Sequence, residues 1–391
     1  MNIFKIIKHF FLGIFVLVLI ILILQFVVNP KYTFPTPHAF KGEYIYNPYR
    51  NIDNTKWRLA NFHAHNRKFF GNKKIAANSV QKLDSLYKYF GYSIISISDY
   101  QCINLYGGKN KWYVPVYEHG FLYYKNHQLI LNAKKVNWQD FPFRQTLSNE
   151  QFIIDQLKKD TTVIITIVHP IYRKAYSFND FKYLSNYDCL EIANHDRLFT
   201  FCYDTILSNG HPAFLMADDD AHDPTNLEDI CSSFNLINSD MSKDSILHSL
   251  RTGRSIGVKF NIVFYKTNEE KKAALLKLPE VKSITFKNDT LAVSLNQSVK
   301  TIKFIGQKGI EKKSMTNCST GYYFFALEDT YIRTVIECND GTIYFLNPLL
   351  RYNGITLTNY APSYNILKTW TWRSIVLGIL VLTFIIWYRK K

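Results

Sequence analysis

None of the six cysteines in this 391-residue chain belongs to a Cys-x-x-Cys pair, which removes zinc ribbons and thioredoxin-type redox motifs from consideration. Cys318 and Cys338 lie near each other in a strand-rich stretch and could be bridged if the compartment oxidises. Cys102, Cys189, Cys202 and Cys231 read as core or free thiols. The chain also lacks an internal repeat, a low-complexity tract and any dense basic run in its globular part. Its formal charge of +16 would suit a polyanionic partner. The Lys and Arg residues are scattered, however, and no aromatic-basic recognition motif accompanies them, so nucleic-acid binding is not expected. The length allows one large domain plus a small one.

No charge interrupts Phe10 to Val28, an apolar run of about the length a bilayer requires. Lys5 and Lys8 precede it and no small-x-small cleavage site follows, so residues 1–28 read as an uncleaved transmembrane anchor. A second, shorter run extends from Ser374 to Tyr388, with Trp370, Trp372 and Trp387 as interface residues and Arg389, Lys390 and Lys391 closing the chain. Residues 370–391 are accordingly expected to form a C-terminal transmembrane helix with a basic tail. The positive-inside rule places both termini in the cytoplasm and everything between them on the extracytoplasmic, periplasmic side of the cell membrane. Lys368 and Arg373 stand on the outer flank of the second span, where a buried or interfacial helix is the alternative.

Residues 29–55 are rich in Pro, Tyr and Asn without clear periodicity and read as a linker on the domain surface. From 56 to 258, apolar strand-like runs at Trp57–Phe62, Tyr92–Ser98, Leu129–Asn132, Val163–Val168, Cys189–Ile192 and Ala213–Ala217 alternate with helical spacing. The helical stretches are Ile75–Phe90, Asn149–Lys159, Phe199–Asn209 and Lys243–Thr252, and Ser148 with Gln151 resembles a capping box. Such alternation predicts an α/β fold with a largely parallel sheet, either open or closed into a barrel. Over 259–360 the pattern changes to short β runs: Val281–Lys287, Thr290–Ser294, Thr301–Ile305, Tyr322–Leu327, Tyr331–Glu337 and Thr342–Leu346. Asp340-Gly341 is a hairpin signal between two of them, and a small antiparallel β-sandwich-like domain is expected.

Six polar clusters lie beside these apolar runs: His63-Ala64-His65, Asp99-Tyr100, Glu118, His127, His169-Pro170 and Asp220-Ala221-His222. Side chains at i and i+2 of a strand share a face, so His63 and His65 can reach one ion. Asp218, Asp219 and Asp220 are adjacent carboxylates that repel one another unless cations or hydrogen-bond donors neutralise them. Taken singly, each cluster also has an ordinary reading as a turn cap, a satisfied core histidine or an exposed acidic loop. As an ordered set they place imidazole and carboxylate donors at strand ends, where barrel hydrolases assemble metal centres.

The ordered set resembles the PHP (polymerase and histidinol phosphatase) family of metal-dependent hydrolases over residues 56–258. FHAH resembles its opening His-x-His motif, SISDY its Thr-Asp-His motif, TIVHP its His-Pro motif and ADDDAH its closing Asp-x-His. CLEIAN and LSNGHPAFLMADDDAH resemble a membrane-attached or secreted subgroup with a β domain behind the barrel. The resemblance implies a distorted (β/α)7 barrel. It also implies that His63, His65, Glu118 and Asp220 hold one divalent metal, while Glu118 bridges to a second completed by His127 and His169. Zinc, manganese and iron all suit such ligands, and a water activated between the two metals would attack the substrate.

The chain departs from the family at a third metal position. The family's Ser-Asp-Gly aligns with Phe69-Phe70-Gly71, and its Thr-Asp-His becomes Ser98-Asp99-Tyr100, leaving His222 alone of that ligand set. A binuclear site is therefore expected, with His222, Asp99 and Tyr100 free for catalysis and Arg173, Lys174 and Arg197 as candidates for binding an anionic substrate. The reading is a membrane-anchored metal-dependent phosphoesterase acting on a small-molecule or other phosphoester. An amide-, ester- or carbamate-cleaving enzyme of the same fold and an inactive metal-binding scaffold stand as alternatives.

Overall fold

The computed structural model describes residues 3–66, 80–120, 122–263, 265–357 and 360–389. It is a mixed α/β structure with an apolar helix at each end. The described strands form three sheets, the smallest being the antiparallel pair Tyr32–Thr33 and Ser363–Tyr364. In the six-stranded sheet the order is Phe214–Asp218, Cys189–Asn194, Ile164–Ile167, Gln128–Leu131 and Val116–His119, with Arg197–Leu198 beside Cys189–Asn194. The eleven-stranded sheet runs through Val281–Lys287, Thr290–Gly306, Tyr331–Glu337, Ile343–Leu346, Ser255–Lys259, Ser233–Asn238, Trp57–Asn61 and Ile94–Ile95.

Several sequence expectations change here. The sheets are mixed rather than largely parallel: the first two pairings of the six-stranded sheet are parallel and the last two antiparallel. Among the described residues the strands do not close into a hydrogen-bonded ring, so the expected (β/α)7 barrel is not shown. Polar side chains instead bond to backbone groups where one sheet meets the other. Asn235 receives Ala217 N at 2.9 Å and donates to Ala217 O at 2.6 Å, imitating a strand partner. Asn347 Oδ1 accepts from Leu215 N at 2.8 Å, and Ser96 Oγ donates to Val114 O at 3.0 Å. Strands at Val116–His119, Ser233–Asn238 and Ser255–Lys259 and the helix Asn268–Leu275 were not expected from pattern alone.

The helices Leu147–Leu157, Thr200–Ser208 and Lys243–Thr252 lie where helical spacing places them, and Val80–Tyr89 is the described part of the first predicted helix. The capping box belongs to Thr146 and Asn149 rather than Ser148 and Gln151. Gln151 instead lies inside the helix, bonding Asp155 and Ser185.

The later β runs are antiparallel, but they are not a free-standing sandwich. Ile343–Leu346 pairs directly with Ser255–Lys259, so these strands extend the sheet that carries Trp57–Asn61. Two predicted runs merge into the single strand Thr290–Gly306. The hairpin at Asp340-Gly341 forms, with Gly341 at φ 87 and its N–H on Cys338 O. Residues 29–55 pack onto this sheet: Tyr44–Tyr46 pairs with Leu349–Tyr352, and the buried Tyr49 hydroxyl donates to Ser255 O at 2.9 Å. All six cysteines are free thiols, Cys318 and Cys338 included.

Ile3–Val28 and Ile366–Arg389 are long and apolar enough to cross a membrane. They meet at one end: Lys31 Nζ and Trp372 Nε1 donate to Phe26 O at 2.8 and 3.0 Å, and Arg373 donates to Val28 O. Gln25, buried although it lies in the apolar segment, exchanges bonds with Phe143 N and O at 3.0 and 2.9 Å. The first helix is thereby docked onto the body of the protein.

A buried ion pair ties the helix Thr200–Ser208 to the extended sheet. Arg333 reaches both oxygens of Asp204 at 2.7 Å, and Tyr331 OH adds a bond at 3.1 Å. Removing one partner strands the other charge in the core. Asp204→Ala should lower unfolding free energy by about 3–5 kcal/mol, measured by chemical denaturation. A change within about 0.5 kcal/mol would show that the pair does not hold these elements together.

Candidate metal centre

Strand ends gather the polar clusters. His63 and His65 follow Trp57–Asn61, Glu118 lies within Val116–His119, His169 follows Ile164–Ile167 and Asp220 follows Phe214–Asp218. His127 precedes its strand, Gln128–Leu131. It arrives at the same place because that strand runs antiparallel to Val116–His119, pairing Leu129 with Glu118. Gly120 permits the approach, since a Cβ there would stand 2.7 Å from His127 Cδ2. Isolated bridges between Ala64 and Ala221, and between Tyr100 and Glu118, draw the remaining loops inward.

Two groups of side chains result, either of which could hold a metal ion: His63, His65, Glu118 and Asp220, and Glu118, His127 and His169. Their ligand atoms lie within 4.8 Å of one another in each group. Glu118 belongs to both. Its Oε1 is contacted by His127 Nδ1, by His169 Nε2 at 3.1 Å and by His63 Nε2 at 3.6 Å, while Oε2 is 3.1 Å from His65 Nε2. Asp220 Oδ1 lies 3.1 Å from both His63 Nε2 and His65 Nε2. The four histidines and Glu118 are almost wholly shielded from solvent. His63 Nε2 and Glu118 Oε2 make no hydrogen bond despite these distances. Buried donors and acceptors normally find partners, so unsatisfied atoms facing one another fit a divalent cation between them.

The charges agree. Burial opposes ionisation of Glu118 and Asp220, yet the surrounding histidines hold both well below the usual carboxylate range. Burial also opposes charge on His63 and His65, but the carboxylates outweigh it and raise both. His127 is pushed down to about 3 by burial. The cluster thus demands positive charge, which protons or a metal can supply. Backbone strain coincides with it: His169 has φ 30 and Asp220 φ 52, conformations that non-glycine residues hold only under constraint.

Asp218 and Asp219 have other duties. Asp218 Oδ1 accepts from Phe62 N at 2.7 Å. Asp219 accepts from Cys231 N, Ser232 N and Ser233 N at 2.8, 2.7 and 2.9 Å, and from Tyr87 OH at 3.0 Å. Backbone and hydroxyl donors, with the positive charge of Lys271, surround Asp219, whereas burial and the nearby Glu191 carboxylate push the Asp218 pKa well above its ordinary value. Asp99 is buried and accepts from Asn66 N at 2.7 Å and Asn104 Nδ2 at 2.9 Å, contacts that fix loops.

Tyr100 stacks on His65 with centroids 4.3 Å apart, and its hydroxyl lies 3.3 Å from His222 Nε2. His222 Nδ1 bonds Asp220 O at 2.6 Å, a contact that assigns the proton to Nδ1 and leaves Nε2 to accept from Tyr100. Burial keeps the phenol neutral by raising its pKa well above the ordinary value, and lowers that of His222. Phe69, Phe70 and Gly71 lie outside the described residues. Arg173 and Arg197 come together over Tyr172, 5.5 and 4.4 Å from its ring, and Tyr172 sits 5.9 Å from the His169 ring. Lys174 is exposed and does not join this stack.

Sequence pattern missed several supporting residues. Lys125 covers the Tyr100 ring at 4.8 Å. Glu191 and Asn61 contact His63 through Nδ1 and the carbonyl, at 2.9 and 3.1 Å. Asp229 holds His222 N and Asp223 N at 2.9 and 2.7 Å and pairs with His195 at 3.0 Å. Nothing in their spacing singles them out; only Glu191, inside CLEIAN, stood in a quoted motif.

The His195–Asp229 pair makes the loop at 222–229 sensitive to pH. The bond to Asp229 raises the His195 pKa; burial opposes ionisation of Asp229, but His195 and the two backbone donors lower its pKa overall. The histidine's contribution is therefore complete below its unfolded value of about 6.5 and lost as pH rises through the folded one. The stability gap between wild type and His195→Ala should shrink as pH rises above that range. A gap that stays constant from pH 6 to 10 would refute the pairing.

No family model matches the chain, and no curated protein matches it. Among solved structures, it is similar to a two-domain protein from Bacteroides vulgatus containing a predicted PHP-like metal-dependent phosphoesterase. That match has 10% identity and a TM-score of 0.39, covering 80% of this chain and 99% of that one. PsfC from Pseudomonas syringae is similar at 9% identity and a TM-score of 0.36, over 56% of this chain and 97% of that one. Likenesses this distant carry no argument about activity, so the functional reading rests on the side chains themselves.

Proposed function

We propose that this chain is a membrane-anchored, metal-dependent hydrolase with a binuclear centre, acting on phosphoesters from the extracytoplasmic side of the membrane. The observation that carries the reading is a pair of carboxylates, the fully buried Glu118 and the partly buried Asp220, ringed by four imidazoles, with Glu118 common to both ligand groups. His63, His65, Glu118 and Asp220 would hold one ion, and Glu118, His127 and His169 the other. Zinc, manganese or iron bound there would supply Lewis acidity and activate water as the nucleophile.

The other residues bind, orient and move protons. Tyr100 presents a neutral hydroxyl beside His65 and hydrogen-bonds to His222; on releasing His222 Nε2 that hydroxyl can donate to an oxygen of the substrate or leaving group. Arg173 and Arg197, gathered on Tyr172 next to His169, supply positive charge to an anionic substrate. This cationic rim favours a phosphoester over a neutral ester or amide. Asp99 is left out of proton transfer because its carboxylate is committed to Asn66 and Asn104. Residues 56–258 would form the catalytic portion and 259–360 its support, with the helix pair as anchor.

Metal analysis of the purified full-length protein should find about two ions per chain. His63→Ala and Asp220→Ala should each lose metal and activity together, and full activity in either variant would end this reading. Against a matched panel, aryl phosphates should be cleaved in preference to aryl esters and amides. Replacing Arg173 and Arg197 together by Ala should raise KM for an aryl phosphate about tenfold without changing metal content. Faster ester cleavage would transfer the same centre to carboxylic substrates, whereas metal without turnover would make it a scaffold.

A further inference from the structure

We infer that Glu191 is a positioning residue that couples the two halves of the centre, one carboxylate oxygen fixing the His63 tautomer and the other holding the backbone of His169. The inference rests on the reading of His63 and His169 as ligands of different ions.

Glu191 lies in Cys189–Asn194, within the six-stranded sheet, and is fully buried. It belongs to neither ligand group. Its Oε1 is 2.9 Å from His63 Nδ1, while Oε2 accepts from His169 N at 2.7 Å and Asn194 Nδ2 at 2.8 Å. The other nitrogen of His63, Nε2, faces Asp220 and Glu118 at 3.1 and 3.6 Å. An imidazole can coordinate through Nε2 only if its proton is on Nδ1, and an acceptor at Nδ1 enforces that state.

The second oxygen works through the main chain. His169 carries φ 30, a left-handed conformation without glycine's freedom. Its ring Nδ1 is buried and has no hydrogen-bond partner among the described residues, so no described side chain orients that imidazole by a hydrogen bond to Nδ1. The carboxylate at His169 N is what holds the residue in the strained conformation that brings Nε2 to 3.1 Å from Glu118. One rigid group therefore sets the distance between a ligand of the first ion and a ligand of the second.

The geometry requires acceptors at both oxygens, which an amide of the same shape cannot provide. In Glu191→Gln the carbonyl oxygen must stay with His169 N, because a backbone donor cannot reverse its polarity. The new NH2 then faces His63 Nδ1, which accepts and sends the imidazole proton to Nε2, where it blocks coordination. The substitution should therefore weaken the first ion and spare the second.

Cobalt titration of wild type and Glu191→Gln, followed by the cobalt d–d spectrum, tests this. The variant should bind one ion as the wild type does and the other about 10- to 100-fold more weakly. Unchanged affinity for both ions, or weakening confined to the ion held by His127 and His169, would overturn the inference while leaving the proposed function standing. A wild type that binds no ion would instead overturn the proposed function. Should the variant not fold, 15N spectra of histidine-labelled, zinc-loaded wild type still decide. His63 protonated on Nδ1 supports the coupling, and protonation on Nε2 overturns it.

Discussion

Glu118 is the constraint around which the rest of the structure is arranged. A wholly buried carboxylate is costly unless it is paired, and this one is met by His63, His65, His127 and His169 from two separate strand ends and the start of a third strand. The mixed sheet follows from that need. Because Gln128–Leu131 turns back against Val116–His119, His127 reaches Glu118 from a neighbouring strand's beginning. The seams between the sheets serve the same end. Asn235, Asn347 and Ser96 satisfy backbone groups that a closed ring would have paired, leaving the loops at 62–65, 99–100 and 218–222 room to converge.

Much of this was legible in the sequence because ligand chemistry is local. His-x-His, Glu118, His127, His169 and Asp-x-His each announce themselves by residue type beside an apolar run, and all converge. The division of labour within Asp218-Asp219-Asp220 was not legible. Which of three adjacent carboxylates meets imidazole depends on the Asp220 backbone at φ 52 and on donors from Phe62, Ser232 and Ser233, which are far away in the chain. The strand Val116–His119 was missed because the four residues are buried on both faces and include Glu and His, so neither alternation nor an unbroken apolar run marks them. A sandwich was expected from 259 onward for a related reason. Strand pattern reveals alternation but not the partner, and here the partner of Ile343–Leu346 is Ser255–Lys259.

The helix junction gives meaning to charges that looked misplaced. Lys368 and Arg373 on the outer flank of the second span weaken its reading as a membrane helix if charge alone is counted. Arg373 instead donates to Val28 O, and Lys31 and Trp372 share Phe26 O. These carbonyls end the first helix and have no partner within it, and cations there also complement the helix dipole. With Gln25 bonded to Phe143 and Asn149 bonded to Gln25 O at 2.9 Å, the first helix meets the folded body through a set of directed bonds. A flexible tether would need none of them.

Tyr100 combines packing and hydrogen bonding at the edge of the candidate metal centre. Its ring covers His65 at an interplanar angle of 13°. That stacking limits rotation of the His65 imidazole, a packing role that the smaller ring of a histidine would fill less fully. The hydroxyl meanwhile lies 3.3 Å from His222 Nε2, within hydrogen-bonding distance. Tyr100 thus acts twice beside the candidate metal centre, by shape on His65 and by hydrogen bonding on His222, and neither role requires it to bind an ion.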